Sequence, residues 1–351
     1  MIKRSERYKQ KKKLKRRKHL IICSIVAIII VIIFIVISTI KNTQNETAST
    51  TSQNSSSVAT ENKTNSNDTT SDKEEDNSNK KEDKSEVNLE SDNTVPQFDE
   101  ATNIYYYKTY YVEKSKSDKT QQRFWVGYES DHKRPGSPIT EAIASKYNTY
   151  YIGNNNNTIY LTFNEDSDKT QITRTLSILH NYNIKATFFL SKEFMKANQQ
   201  TVKMISEEGH YCCNLASSNA DILTLAAKDP GAFIKEVVDT EDLFYKITGR
   251  KMTKLFRFSD DIYSNVALDY LNKLGYKTLF WSFFYQDFNK DDSSKDEILN
   301  LMKNQYHNGA IFLLHDVNSS NPDALDSFLS EMTSKYKFTV PNYLIKDEQK
   351  S

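Results

Sequence analysis

Cysteine is almost missing from this chain of 351 residues, which holds three. Cys23 lies in an apolar run near the N-terminus, and Cys212 and Cys213 are neighbours that cannot staple distant segments together. No disulfide framework is implied, so a folded part must stand on its own hydrophobic core. Three local absences are as informative. Acid is nearly missing from the first 18 residues, where Glu6 faces eleven Lys and Arg. Charge, Gly and Pro are all missing from Leu20 to Ile40. Large apolar residues are nearly missing from Lys41 to Thr94.

A helix over the 21 residues from Leu20 to Ile40 would be about 31 Å long at about 1.5 Å per residue, the thickness of a bilayer's hydrocarbon core. The run exceeds a signal-peptide core of about 7 to 15 residues and no A-x-A-like site follows, which favours an uncleaved anchor over a cleaved signal. The basic block ahead of it is expected to hold the N-terminus in the cytoplasm, so that the rest lies outside. That orientation accounts for the block, and nucleic-acid binding is not inferred from it. Setting aside its eleven cations and one acid from chain totals of 47 and 46 leaves 36 and 45, a net of about −9 for the outer part.

The polar segment at 41–94 cannot bury enough surface to offset the entropy of ordering and reads as a disordered tether. Its 54 residues span typically about 40 Å as a flexible coil. The sequence thus divides into a basic cytoplasmic tail (1–19), an anchor (20–40), a linker (41–94), an aromatic-rich section (95–157) and a main domain (158–351). In the fourth of these, "NIYYYKTYYVEK" admits two readings: a strand packing one face on the domain, or an aromatic surface for a glycan or protein partner.

From Thr158 onward short apolar runs alternate with helical patterns. The runs are "TIYLTF", "KATFFL", "YCCNL", "KLFRF", "KTLFWS" and "AIFLLH". Helices are expected to begin near Lys169, Thr201, Asp229, Asn265, Lys295 and Asp323, with Pro230 and Gly249 marking the two ends of one of them. Such units make a parallel sheet, closed into a barrel or doubly wound, with function at the strand C-terminal ends. Asn164, Glu165 and Asp166, the stretch from Asn214 to Asn219, Arg257 to Asp261, Ser282 and His315 all fall there.

In order and spacing, "HNYNIKATFFL", "ISEEGHYCCN", "ITGR", "LFWSFFYQDF", "GAIFLLHDV" and "NPDAL" resemble the NodB-homology polysaccharide deacetylases, carbohydrate esterase family 4. Within them the chain is most similar to the branch acting on peptidoglycan muramic acid in delta-lactam formation, over roughly Gly127 to Tyr343. The resemblance implies a distorted (β/α) barrel and one divalent metal, usually zinc, that polarises an acetamide and activates water. It implies a base and a metal carboxylate from a T-F-D-D motif, two metal-binding His from H-x-x-x-H, an Arg that orients the base, and a late His as acid.

Laid on this chain, the base position is Asn164, and the metal positions are Glu165, Leu215 and Asn219. An amide cannot accept a proton near neutral pH. Leu215 has no lone pair, Asn219 offers a weak amide oxygen, and a carboxylate alone is not a zinc site. Arg257 and His315 remain at the catalytic positions, with Trp281 and Ser282 as candidate sugar contacts. The turn after Arg257 carries Ser259 at the family's Pro and Asp261 near its Gly. The Asp260–Asp261 pair reads as a solvated loop or, with Glu165, as a place for a hard cation such as calcium. His315 is either the acid or a satisfied pocket histidine. Cys212 and Cys213 point to opposite faces of a strand and read as packing residues, and His210 as a structural hydrogen bonder.

The resulting expectation is a membrane-anchored, extracytoplasmic pseudo-deacetylase without a cofactor, binding peptidoglycan, a related N-acetylated glycan or an envelope protein. An active de-N-acetylase holding zinc or another divalent cation in an altered site, and a purely structural envelope protein, stand as alternatives.

Overall fold

The computed structural model describes residues 93–166, 171–216, 221–285, 294–315 and 319–345. The expected anchor at 20–40 lies outside the described residues, as does the linker except for its last two positions. No helix among the described residues is long and apolar enough to cross a membrane.

The chain begins with a three-stranded antiparallel meander of β1 (Gln97–Asp99), β2 (Ile104–Tyr107) and β3 (Tyr110–Glu113). Here the strand reading of the aromatic run holds. Tyr105, Tyr107 and Val112 are buried while Tyr111 is 70% exposed, the alternation of a strand with one face on a core. Next come β4 (Gln121–Arg123), the helix α1 (Glu141–Tyr147) and β5 (Thr149–Tyr150).

The main domain continues through β6 (Thr158–Glu165), α2 (Ile172–Asn181), β7 (Thr187–Leu190), α3 (Lys192–Ala197), α4 (Gln199–Glu207) and β8 (Tyr211–Leu215). It goes on with α5 (Ile222–Lys228), α6 (Pro230–Thr248), β9 (Thr253–Arg257), β10 (Ile262–Ser264), α7 (Asn265–Lys273) and β11 (Lys277–Leu279). The last elements are β12 (Phe283–Phe284), α8 (Lys295–Gln305), β13 (Ala310–Leu314), α9 (Ser320–Met332) and β14 (Lys337–Phe338). All six expected strands form. Helix α6 starts as its sequence dictates: the Asp229 side chain caps it, Pro230 fills its first turn and Gly249 ends it at φ 68°.

The large sheet is parallel, ordered β12-β13-β6-β7-β8-β9-β11-β5, with β14 added beside β6. Among the described residues its end strands, β12 and β5, do not pair with each other. The expected barrel is therefore an open, partial one. Strand β5 also carries the section before Thr158 into this sheet, pairing Thr149 with Thr278.

Two apolar layers follow from the two-residue period of the strands. Ile159, Leu161 and Phe163 of β6, Phe188 and Leu190 of β7, and Phe312 and Leu314 of β13 pack outward, in one core with α2, α3, α8 and α9. Tyr160, Phe189, Leu215, Ile311 and Leu313 belong to the other core. The cysteines obey the same rule: Cys212 packs in the first layer and Cys213 in the second. Burial pushes both thiols up, away from the reactive thiolate form.

At the sheet's N-terminal end the chain is pinned by close contacts. Gly309 donates to the carbonyls of Asn156 and Thr158 and accepts from the Gly153 N–H. It has φ +73°, and a Cβ there would sit 2.3 Å from the Asn154 carbonyl. Arg134 bridges the same loops, donating to the carbonyls of Asn308 and Gly153 at 3.0 and 2.8 Å. The meander is anchored separately on α6, where the Tyr107 hydroxyl donates to Asp239 at 2.6 Å and accepts from Lys235 at 2.9 Å. Tyr110 donates to Glu241 at 2.7 Å, and Lys254 pairs with the same carboxylate.

Candidate functional site

Strand parity decides which side chains reach the inside of the sheet at its C-terminal end. On β6, Thr162 and Asn164 share the parity of inward-facing Tyr160. Between β8 and β9 the register slips: Cys213 lies opposite Thr253 but Asn214 opposite Phe256, so that Leu215 lies opposite Arg257. His315 follows β13 with the inward parity of Ile311 and Leu313. Three of the residues named from sequence, Asn164, Arg257 and His315, thus face inward from strand ends.

Arg257 organises this end. Nε donates to the Leu279 carbonyl at 2.9 Å, one terminal nitrogen to Thr162 Oγ1 at 2.8 Å and Asn164 Oδ1 at 3.1 Å, and the other to the Phe280 carbonyl at 3.3 Å. Its guanidinium lies 4.1 Å above the centre of the Phe189 ring and is 2% exposed. Every hydrogen-bond acceptor is neutral. Burial therefore pushes its pKa down to about 9. Placing Asn164 at the base position puts an amide oxygen, not a carboxylate, against this cation.

The positions aligned with metal ligands can be tested as a donor set. Glu165 closes β6 and is 2% exposed. Leu215 is 1% exposed and packed into the inner apolar layer, where a hydrocarbon offers nothing to a cation. Asn219 lies outside the described residues. Among the described residues no three His, Cys, Asp or Glu gather as a metal site requires. The residues present do not fit a zinc ion bound by a carboxylate and two imidazoles.

The two expected sugar contacts differ in outcome. Trp281 is 7% exposed, with the Phe124 and Phe284 rings each 5.0 Å from it, so it forms a wall rather than an open stacking platform. Ser282 gives way altogether. Its hydroxyl is 2.9 Å from His307 Nε2 and accepts from the Ile311 N–H at 2.9 Å, level with the start of β13 and away from its C-terminal end. That side chain is committed to the scaffold, which a residue one step past an apolar strand gave no sign of.

His315 packs edge-on against Phe284, ring centres 5.9 Å apart, and its backbone carbonyl accepts from Asn321 at 2.7 Å. A small space under it is lined by Phe163, Tyr285, Asn321 and Leu325. His210 has the structural role its turn suggests: Nδ1 accepts from the Ala186 N–H at 3.1 Å. Burial pushes its pKa down to about 4.

For Asp261 the solvated-loop reading of the Asp260–Asp261 pair does not hold. Asp260 is exposed, as a solvated loop requires, but Asp261 is half-buried. Its carboxylate lies near the Trp281 side chain and within electrostatic reach of Arg123, His315 and Arg257. Burial raises its pKa above the ordinary carboxylate value. The available signal was the antiparallel pairing of β10 with β4, which carries Asp261 against Phe124, and neither short strand stands out in the sequence.

An open parallel sheet with its polar residues gathered at the strand C-terminal ends is an α/β architecture shared by many activities, and comparison with known proteins makes it specific. Residues 152–279 match the polysaccharide deacetylase family. The chain is 31% identical over 194 residues to the peptidoglycan-N-acetylmuramic acid deacetylase PdaA of Bacillus subtilis, covering 54% of this chain and 72% of that one. It is 30% identical over 213 residues to a 30.6 kDa protein of Geobacillus stearothermophilus, covering 59% and 78%. The solved structure of PdaA, a family 4 carbohydrate esterase, superposes with a TM-score of 0.61 at 28% identity, covering 65% of this chain and 97% of that one. The chain belongs to the polysaccharide deacetylase family.

Proposed function

We propose that this chain is a membrane-anchored, extracytoplasmic pseudo-deacetylase that binds peptidoglycan or a related amino-sugar glycan without hydrolysing its acetamide. The carrying observation is Arg257: its hydrogen bonds end on Asn164, Thr162 and two carbonyls. An amide stands where a general base must accept a proton, and Leu215 stands where an imidazole must hold the metal. What supports retained binding is that Arg257, Trp281, His315 and the half-buried Asp261 still converge at the strand ends. What supports the anchor is the uncharged run from Leu20 to Ile40 behind a basic block.

The relative PdaA is by name a peptidoglycan-N-acetylmuramic acid deacetylase, and this kinship favours an active enzyme with an altered metal site as the second reading. The zinc content of the purified full chain, measured together with its co-sedimentation with insoluble peptidoglycan, separates them. Sedimentation with less than about a tenth of an equivalent of zinc is the expected result. One equivalent of zinc supports the second reading, and no sedimentation contradicts glycan binding.

A further inference from the structure

We propose that Trp125 and Tyr128 form an aromatic rim beside the groove, on which a sugar ring of the glycan strand stacks. The inference rests on the glycan-binding reading above and adds where the glycan lies.

The rim is built by the short segment that follows β4. Phe124 is buried, Trp125 is 53% exposed and Val126 packs on the inner core, the alternation of an extended chain with one covered face. Phe124 fastens the near end. Its N–H donates to the Asp261 carbonyl at 2.8 Å, and its ring stacks on Phe280 with centres 4.3 Å apart and meets Trp281 edge-on at 5.0 Å. Tyr128 fastens the far end, where its hydroxyl accepts from the Phe284 N–H at 3.1 Å and donates to the Phe284 carbonyl at 3.4 Å. Phe284 pairs with Leu313 near the C-terminal end of β13, and its ring lies 5.0 Å from Trp281 and 5.9 Å from His315. Trp125 and Tyr128 therefore border the strand ends that carry the candidate site.

Both rings are held in place while remaining in solvent. The Gly127 N–H donates to the Gly136 carbonyl at 2.9 Å, which fixes the backbone behind the indole. A Cβ at Gly127 would lie 3.3 Å from the indole's six-membered ring, so the indole rests against that backbone and leaves its other side open. Tyr128 is 40% exposed although its hydroxyl is committed to Phe284, so what it offers a ligand is the ring. Side chains ordered in this way give up little further freedom when a ligand covers them.

The size of the patch selects its occupant. Two wholly covered aromatic side chains would bury about 300–500 Å², short of the ~800 Å² per partner of a stable protein interface. A hexosamine ring matches it: the C–H groups on its faces pack on an aromatic ring, and the hydroxyls at its edge reach polar neighbours. Such neighbours flank the rim in the exposed side chains of Arg123, Glu129 and Ser130. Stacking of this kind calls for neither a metal nor a base, the two things the altered site lacks.

The test uses the full chain and peptide-free glycan strands of peptidoglycan. The chain has two tryptophans and Trp281 is buried, so quenching of tryptophan fluorescence by acrylamide reports mainly on Trp125. Saturating strands are expected to lower the quenching constant about twofold, as one face of the indole is covered. In calorimetric titration Trp125→Ala should weaken binding about tenfold, the loss of one stacked ring, and Trp125→Phe about threefold or less. Tyr111→Ala removes an exposed ring from β3 and should change affinity by less than about twofold. Binding of the strands with unchanged quenching, or equal affinity for Trp125→Ala and the unmodified chain, overturns the proposal and leaves glycan binding standing. A loss on Tyr111→Ala as large as that on Trp125→Ala overturns it too. No binding of the strands to the unmodified chain contradicts the glycan-binding reading, and this proposal with it.

Discussion

Strand β13 has a histidine at each end: His307, three residues before it begins at Ala310, and His315, directly after it ends at Leu314. His307 is locked. Its Nδ1 is 3.0 Å from the Asn308 carbonyl and its Nε2 2.9 Å from Ser282 Oγ, and burial pushes its pKa down to about 4. His315 instead borders a small space and shares its surroundings with Asp261 and Phe284. One end of the sheet uses polar groups to close the structure, and the other gathers Asn164, Arg257 and His315 at the strand C-terminal ends. Asn164 and Leu215, where the residue types depart from the family pattern, lie at the second end, and Arg134, Gly309 and Ser282 make their hydrogen bonds at the first.

The largest expected effect lies at the site end. Arg257→Ala strands four buried acceptors and empties the space above Phe189, and should cost about 3–5 kcal/mol in urea unfolding. A cost under about 1 kcal/mol would mean that this arginine does not organise the strand ends. At the opposite end Gly309→Ala meets two carbonyls and the Arg134 guanidinium at a positive φ, and should cost about 2–4 kcal/mol. Equal melting temperatures for this variant and the unmodified chain would contradict the pinned loop.

Acid should weaken the closed end next. His210 and His307 are held neutral, with pKa values pushed down to about 4 from an ordinary value near 6.5. Between those values the unfolded chain binds protons that the folded chain refuses, so stability falls as pH drops from about 6.5 toward about 4 and is unchanged by these groups above that window. Each histidine contributes on the order of 3 kcal/mol across it. His307→Gln should flatten the slope of melting temperature between pH 7 and pH 5, and an unchanged slope would exclude His307 as a source.

The smallest effect is a gain. Asn164→Asp places a carboxylate within hydrogen-bond distance of Arg257 and supplies the counter-ion its present partners lack. It should stabilise the chain by about 1 kcal/mol at pH 7, an increment that disappears as the pH falls through the depressed pKa of the new carboxyl. A lower melting temperature at pH 7 would show that the surroundings of Arg257 are adapted to an amide.

Much of the fold was legible because its signals are local. Six apolar runs became six parallel strands, and Asp229, Pro230 and Gly249 delimit α6 as their chemistry dictates. The short elements were not. Strands of two or three residues such as β5, β10 and β12 carry too little periodicity to stand out, and they are what brings the earlier section into the sheet and Asp261 to the groove. At the site, the residue types at 164, 165, 215 and 257 carried the chemical argument from sequence alone. Ser282 misled because strand-end position suggests the groove, whereas its partner His307 lies twenty-five residues away in the chain. Asp261 was hidden because burial of a loop carboxylate depends on the Phe124 and Trp281 rings packed beside it, a tertiary fact that neighbouring residues do not encode.

The proposed function turns on a site that keeps its strand-end arrangement without hydrolysis. Its most direct test is acetate release by the full chain from N-acetylated peptidoglycan and from chitooligosaccharide, with zinc supplied. The account predicts release no faster than in buffer with zinc alone, and sustained multiple turnovers that stop when the metal is chelated would contradict it.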